Sequence, residues 1–302
     1  SGENLLVEFK FHDHVFPSLR KYYGIVHNAM IGLGHVESSS FDSADVHFYN
    51  HTCLDNLGDR PTPALFIKPT APTAKHFTID DLGYANSSRL TFEEPIHLNP
   101  SNSMDWSKIE DLIERKTNKW DDSILLKWRP AKKIPKDHIL IVGQIPLDET
   151  VNGFGFGHHF KRLSMVVDKL QNENIVVKLH PKFKGFKKII QGWKDKGIDV
   201  RTGFNSIHDF LPHARVAIID NSTSGIECLM HQVPIISYGW PEYHWVTQKL
   251  RSLTELKGLV SNTAWHKKDS ANKFIYWYIH DYLCYDYEST KKRLKECIQK
   301  IY

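Results

Sequence analysis

Two apolar runs in this sequence end in side chains suited to holding an anion. Ile175-Val176-Val177-Lys178-Leu179-His180-Pro181 closes on a basic and an imidazole group; Val216-Ala217-Ile218-Ile219-Asp220 breaks into Asn221-Ser222-Thr223-Ser224-Gly225 before the helix-like Ile226-Glu227-Cys228-Leu229-Met230. A helix that starts there is expected to present free backbone N–H groups. With the hydroxyls of Ser222, Thr223 and Ser224, these would meet an anion such as a diphosphate. Glu227, one turn inside, is spaced to accept hydrogen bonds from a ribose diol. Each residue also has an ordinary structural role: Ser and Thr cap helices, an acid in a first turn favours the helix dipole, and Pro181 ends a strand.

The surrounding pattern positions these groups on one sheet. From His138 onward, strand and helix signals alternate: Ile139–Val142, helix Phe160–Gln171, Ile175–Leu179, helix Phe186–Lys196, Ile198–Val200, helix Ile207–Leu211, Val216–Ile219, helix Ile226–His231, Val233–Ser237. Such alternation predicts a parallel, doubly wound sheet whose ligands bind at the carboxyl ends of its strands. Upstream, Leu5–Phe9, Ser18–Leu33, Val46–Tyr49 and Ala64–Ile67 read as a second α/β layer. A Pro-bearing stretch, Trp128–Pro135, suggests the boundary. The expected domains are 1–134, 135–285 and a C-terminal helix, 286–302, that crosses back onto the first domain. The aromatic residues of the tail, among them Phe274, Tyr278 and Tyr282, are expected to pack in cores or between domains.

Composition narrows the classes. The chain has 302 residues, 41% apolar and 25% charged, with a net charge of +4 spread along its length. That describes a globular protein with room for two cores, whose basic residues are scattered except for the dense stretch Lys182, Lys184, Lys187 and Lys188, read as solvated surface or an anion-attracting rim; no nucleic-acid partner is expected. The four cysteines have no metal-ligand spacing, and no Asp-x-Asp pair or HExxH pattern occurs, so no metal is expected. No apolar run reaches the roughly 18 residues of a membrane span. Nothing at Ser1–Asn4 reads as a signal peptide, and a glycan on the Asn221-Ser222-Thr223 sequon would block the anion site; the expected location is the cytoplasm. Gly153–His159 matches no phosphate-loop pattern and reads as an acceptor-side loop.

Four stretches, in order, carry a resemblance. Ile79–Tyr84 with Ser88-Arg89-Leu90, Val142-Gly143-Gln144-Ile145-Pro146-Leu147-Asp148, Lys178-Leu179-His180-Pro181, and Ser222–Glu227 with Ile235–Trp245 resemble motifs of the capsule-polysaccharide biosynthesis family, which includes bacterial Kdo transferases. The resemblance implies a GT-B-like glycosyltransferase of two Rossmann-like domains facing a cleft, with a nucleotide-sugar donor, a glycan acceptor and no cofactor. It implies Asp148 as the carboxylate at the anomeric centre and His180 at the donor phosphate. Lys178 would support that charge, Ser222, Thr223 and Ser224 would hold phosphate oxygens, and Glu227 the ribose. Gln144 and Tyr243 would be donor-site neighbours. Where the family has a Glu-Asp-Gly run, this chain reads Leu65-Phe66-Ile67-Lys68-Pro69-Thr70. That departure leaves CMP-Kdo and a UDP-linked sugar such as UDP-xylose both open as donors, and inversion with Asp148 as single base as open as retention. A non-catalytic nucleotide-sugar-binding protein and a sugar-nucleotide epimerase are the alternatives.

Overall fold

The computed structural model describes residues 5–12, 20–50, 63–96, 98, 103–120, 127–146 and 159–302. The β-branched and aromatic runs form two sheets. The first has the order β2-β1-β3-β4-β5, with β1 Glu8–Phe11, β2 Val36–Glu37, β3 Val46–Asn50, β4 Ala64–Pro69 and β5 Phe77–Asp80. All pairs are parallel except β4 and β5. The second has the order β11-β10-β9-β6-β7-β8 and is parallel throughout. Its strands are β6 His138–Val142, β7 Ile175–Lys178, β8 Asp199–Arg201, β9 Ala214–Ile219, β10 Ile235–Ser237 and β11 Gln248–Lys249. These are the two Rossmann-like α/β domains of a GT-B fold, as expected.

The second sheet is covered on both faces, which explains why β6, β7 and β9 are apolar at nearly every position. One face packs helix His159–Leu170 and helix Lys187–Asp195 through Leu163, Val167 and Trp193. The other packs helix Ser224–Met230 and helix Lys268–Trp277, and also takes Ile109 and Leu112 from helix Ser107–Glu114. Burying a leucine such as Leu112 stabilises by roughly 1.5–3 kcal/mol.

The chain then returns to the first domain. A π-helical turn, Tyr278–Tyr282, redirects it, Cys284 bridges Phe77 of β5, and helix Tyr287–Ile301 follows. That helix opens on a capping box between Asp286 and Ser289. Its Leu294, Cys297 and Ile298 enter the core built by Phe9, Phe48 and Ile79 and by helix Arg20–Gly32. Cys228, Cys284 and Cys297 are buried free thiols; Cys53 lies outside the described residues.

A clasp joins the domains where segment 88–91 meets segment 242–245. The Ser88 hydroxyl donates to Glu242 Oε2 at 3.0 Å, His244 Nε2–H to the Thr91 carbonyl at 2.7 Å and the Trp245 indole to the Leu90 carbonyl at 2.7 Å. The Tyr278 hydroxyl donates to the other oxygen, Glu242 Oε1. Beside them Arg293, almost fully buried, donates to the Ile79 carbonyl and lies 3.6 Å from Asp80.

Candidate functional site

Strand order reverses between β6 and β9, so the loops leaving their carboxyl ends part and open a crevice. Two side-chain networks fix the edges of that crevice. Gln144 donates through Nε2 to Asn221 Oδ1 at 2.8 Å, and its Oε1 accepts from the Asn221 backbone N–H at 2.9 Å. His159, with no exposed surface, accepts from the Gln144 backbone N–H at 2.9 Å and donates through Nδ1 to Asp220 at 2.8 Å. Arg162 donates to the same Asp220 oxygen at 2.6 Å. His159 was expected in a loop facing the acceptor; the structure makes it a buried brace between β6 and β9. The rest of that loop, residues 153–158, lies outside the described residues.

Within the crevice is a cavity of about 80 Å³ lined by Lys178, His180, Ser222, Thr223, Ser224 and Glu227, with Asn118, Trp120 and Trp128 from the interdomain segment. Ligand pockets run from about 300 Å³ upward, so this space is smaller than a whole ligand site. His180 Nδ1 accepts the Lys182 backbone N–H at 3.0 Å. The neutral ring therefore carries its proton on Nε2, in position to donate. Burial lowers the Lys178 ammonium to about 8, against the attraction of Glu227 and Asp209. Burial likewise raises the Glu227 carboxyl to about 7, against Lys119 and Lys178. Glu227 is 4% exposed, and its Oε2 has no hydrogen-bond partner among the described residues. The Trp128 indole N–H, on the same cavity, is also without a partner.

The start of helix Ser224–Met230 differs from expectation in one respect. Its first N–H groups are already engaged: Ser224 donates to Ser222 Oγ, Gly225 to the Ser222 carbonyl and Ile226 to the Thr223 carbonyl, at 3.0–3.1 Å. A tight 3₁₀-like entry consumes the donors that a wider turn would leave open. An anion here is met by Lys178, His180 and hydroxyls more than by free amides.

The structure thus gathers Lys178, His180, Ser222, Thr223, Ser224 and Glu227 around one cavity. Gln144 and Tyr243 stand one layer behind it. The Tyr243 hydroxyl donates to the Ser222 carbonyl, and the ring presses on Gly225, where an added Cβ would lie 2.1 Å from Tyr243 Cζ. Only glycine allows that approach. Asp148 lies outside the described residues. Trp120 and Trp128 were not anticipated, although two tryptophans just before and at the start of the Pro-bearing boundary stretch are a signal that could have found them. Among the described residues no group of three or more His, Cys, Asp or Glu side chains is arranged to hold a metal ion, and no helix is long and apolar enough to cross a membrane.

Two Rossmann-like domains facing a cleft, with a returning C-terminal helix, define the GT-B class of fold. The chain belongs to the capsule polysaccharide biosynthesis protein family, whose profile matches residues 97–286. Among solved structures it is similar to Thermosulfurimonas dismutans KpsC, beta Kdo 2,4 transferase, at 15% identity and a TM-score of 0.54, covering 98% of both chains. It is also similar to Thermosulfurimonas dismutans KpsC, beta Kdo 2,7 transferase, at 15% identity and a TM-score of 0.53, covering 96% of this chain and 98% of that one. At that identity the likeness concerns the fold. No curated protein matches by sequence.

Proposed function

We propose that the protein is a glycosyltransferase that moves a sugar from a nucleotide-sugar donor to a hydroxyl of a glycan acceptor. The observation that carries this reading is the convergence of Lys178, His180, the Ser222–Ser224 hydroxyls and a Glu227 carboxyl with one oxygen unpartnered among the described residues on one cavity at the switch point. Membership of the family and a fold shared with two Kdo transferases support it. In the reaction a bond forms between the acceptor oxygen and the anomeric carbon as the bond from that carbon to the donor phosphate breaks. The acceptor proton passes to a general base, assigned to Asp148 on the family resemblance alone. Negative charge that grows on the leaving phosphate is met by the Lys178 ammonium, His180 Nε2–H and the Ser222–Ser224 hydroxyls. Glu227 accepts from the ribose diol, which gives its buried oxygen the partners it lacks. Tyr243 and Gln144 hold the loop rather than the ligand.

CMP-Kdo follows from the family. A UDP-linked sugar such as UDP-xylose follows from Lys68-Pro69 at the end of β4, where the family carries acid. The test is to incubate the protein with a panel of CMP-, UDP- and GDP-sugars, with and without glycan acceptors, and follow nucleotide release. Acceptor-dependent release that falls at least tenfold in His180→Ala is expected. Release without acceptor would indicate a hydrolase, conversion of the donor sugar without release an epimerase, and binding of nucleotide sugars with neither a binding protein; each result overturns the proposal.

A further inference from the structure

A second cavity, of about 400 Å³, lies on the flank of the second domain and shares no lining residue with the donor pocket. Its walls are Glu94, Pro95 and Leu98, the turn Trp245–Gln248 that leads into the edge strand β11, and the start of helix Lys268–Trp277. Two indoles set its character. Trp245 and Trp265 are both half-buried, and both have spent their polar edge on a backbone carbonyl: Trp245 on Leu90 at 2.7 Å, Trp265 on Leu259 at 3.0 Å. The rings are thereby fixed, and what they can offer a ligand is their apolar surface.

Charge and hydroxyls complete the lining. Lys267 is exposed, Lys273 is half-buried and held by Asp269 at 2.9 Å, and Glu94 is the acidic side chain in the wall. Because Asp269 already neutralises Lys273, the ammonium left for an anion in this wall is that of the exposed Lys267, set against Glu94, while Gln248 and Ser270 suit a ligand rich in hydroxyls. An acyl chain would leave these polar groups without partners. A divalent cation would find no carboxylate cluster there. A pyranose has the complementary chemistry: a C–H face for an indole, hydroxyls for amide and serine, and, if it is a sugar acid, a carboxylate for lysine. The volume is within the range of ligand sites, at about 300–1,000 Å³.

We propose that this cavity is a second carbohydrate site, which holds a carboxylate-bearing pyranose of a glycan chain away from the reaction centre. The choice of a glycan rests on the glycosyltransferase reading; the site itself rests on the two fixed indoles and the exposed Lys267. It would keep an acidic chain on the protein while its end visits the cleft, raising the effective concentration of that end.

The test uses the full chain and trigalacturonate, with the fully methyl-esterified trisaccharide as the neutral control, measured by calorimetry. The acid is expected to bind more tightly than the ester. Trp265→Ala is expected to weaken binding on the order of tenfold, as removal of an anchoring aromatic does. Lys267→Gln, at an exposed position, should bring the acid down toward the affinity of the ester. No binding of trigalacturonate, binding unchanged in both variants, or displacement by excess CMP or UDP would each overturn the proposal. Nucleotide binding measured on the same preparations reports on the donor pocket separately, so either reading can fail alone.

Discussion

Glu227 and Glu242 are both buried carboxyls, and burial lifts both to about 7, yet the two regions they serve are built differently. At the domain clasp each Glu242 oxygen accepts a hydroxyl, one from Tyr278 and one from Ser88. In the cavity at the strand ends, which Lys178 and Trp128 also line, Glu227 Oε2 and the Trp128 indole N–H have no hydrogen-bond partner among the described residues. A satisfied buried acid stabilises the fold around it, whereas an unsatisfied one is a cost the free protein bears. Burial and titration alone would not separate the two roles; hydrogen-bond accounting does. The clasp belongs to architecture and the cavity to a ligand.

Exchanging the two carboxyls one at a time breaks or sharpens that contrast. The largest effect is expected from Glu227→Ala on nucleotide affinity. Losing a charge-assisted bond to a ribose diol is worth about 1.5–3 kcal/mol, or roughly tenfold to a hundredfold in Kd. The melting temperature of the free protein should hold or rise, because an unpaired buried acid is gone. Glu242→Ala should do the reverse. It strands the Tyr278 and Ser88 hydroxyls at a cost of about 1–3 kcal/mol, which lowers the melting temperature by several degrees and leaves nucleotide affinity within a few-fold. Thermal melts and calorimetric titrations of both variants check this; a similar fall in affinity in each would remove the distinction.

The ligand side of this contrast was legible in the sequence and the architectural side was not. Lys178, His180 and Ser222–Glu227 sit at the ends of β-branched apolar runs, and once those runs become parallel strands on either side of β6 their carboxyl ends lie at the same edge of the sheet. β6, β7 and β9 could be read because burial on both faces leaves little polar noise. β11, of two residues, exists by pairing with β10 rather than by its own pattern. Glu242, Tyr278 and Ser88 meet only when the domains dock, across sequence separations of 36 and 154 residues, and no local rule foretells that. Trp120 and Trp128 reach the cavity from the interdomain segment for the same reason. The donors at the helix start were misjudged because sequence does not distinguish an open entry turn from a tight one. Gln144 and Tyr243, expected near the donor, are near it as supports.

The smallest expected effect is on the pH dependence of stability, and it distinguishes the same two groups. A carboxyl raised from an ordinary value near 4.5 to about 7 contributes stability that is whole below pH 4.5 and lost as pH climbs through 7. Buried His231 and His244 act in the opposite sense. Burial lowers each to about 4, so they destabilise as pH falls below the ordinary value near 6.5 and add no slope well above it. The difference in melting temperature between Glu242→Gln and the parent protein cancels the histidines. That difference should shift in the variant's favour from pH 5.5 to pH 8, since only the parent loses a buried proton over that range. Glu227→Gln should give the same trend in the free protein. With saturating nucleotide the parent's Glu227 is held ionised, so the trend for Glu227→Gln should flatten while that for Glu242→Gln persists. A trend that nucleotide flattens equally in both variants would mean that the clasp and the cavity titrate as one unit.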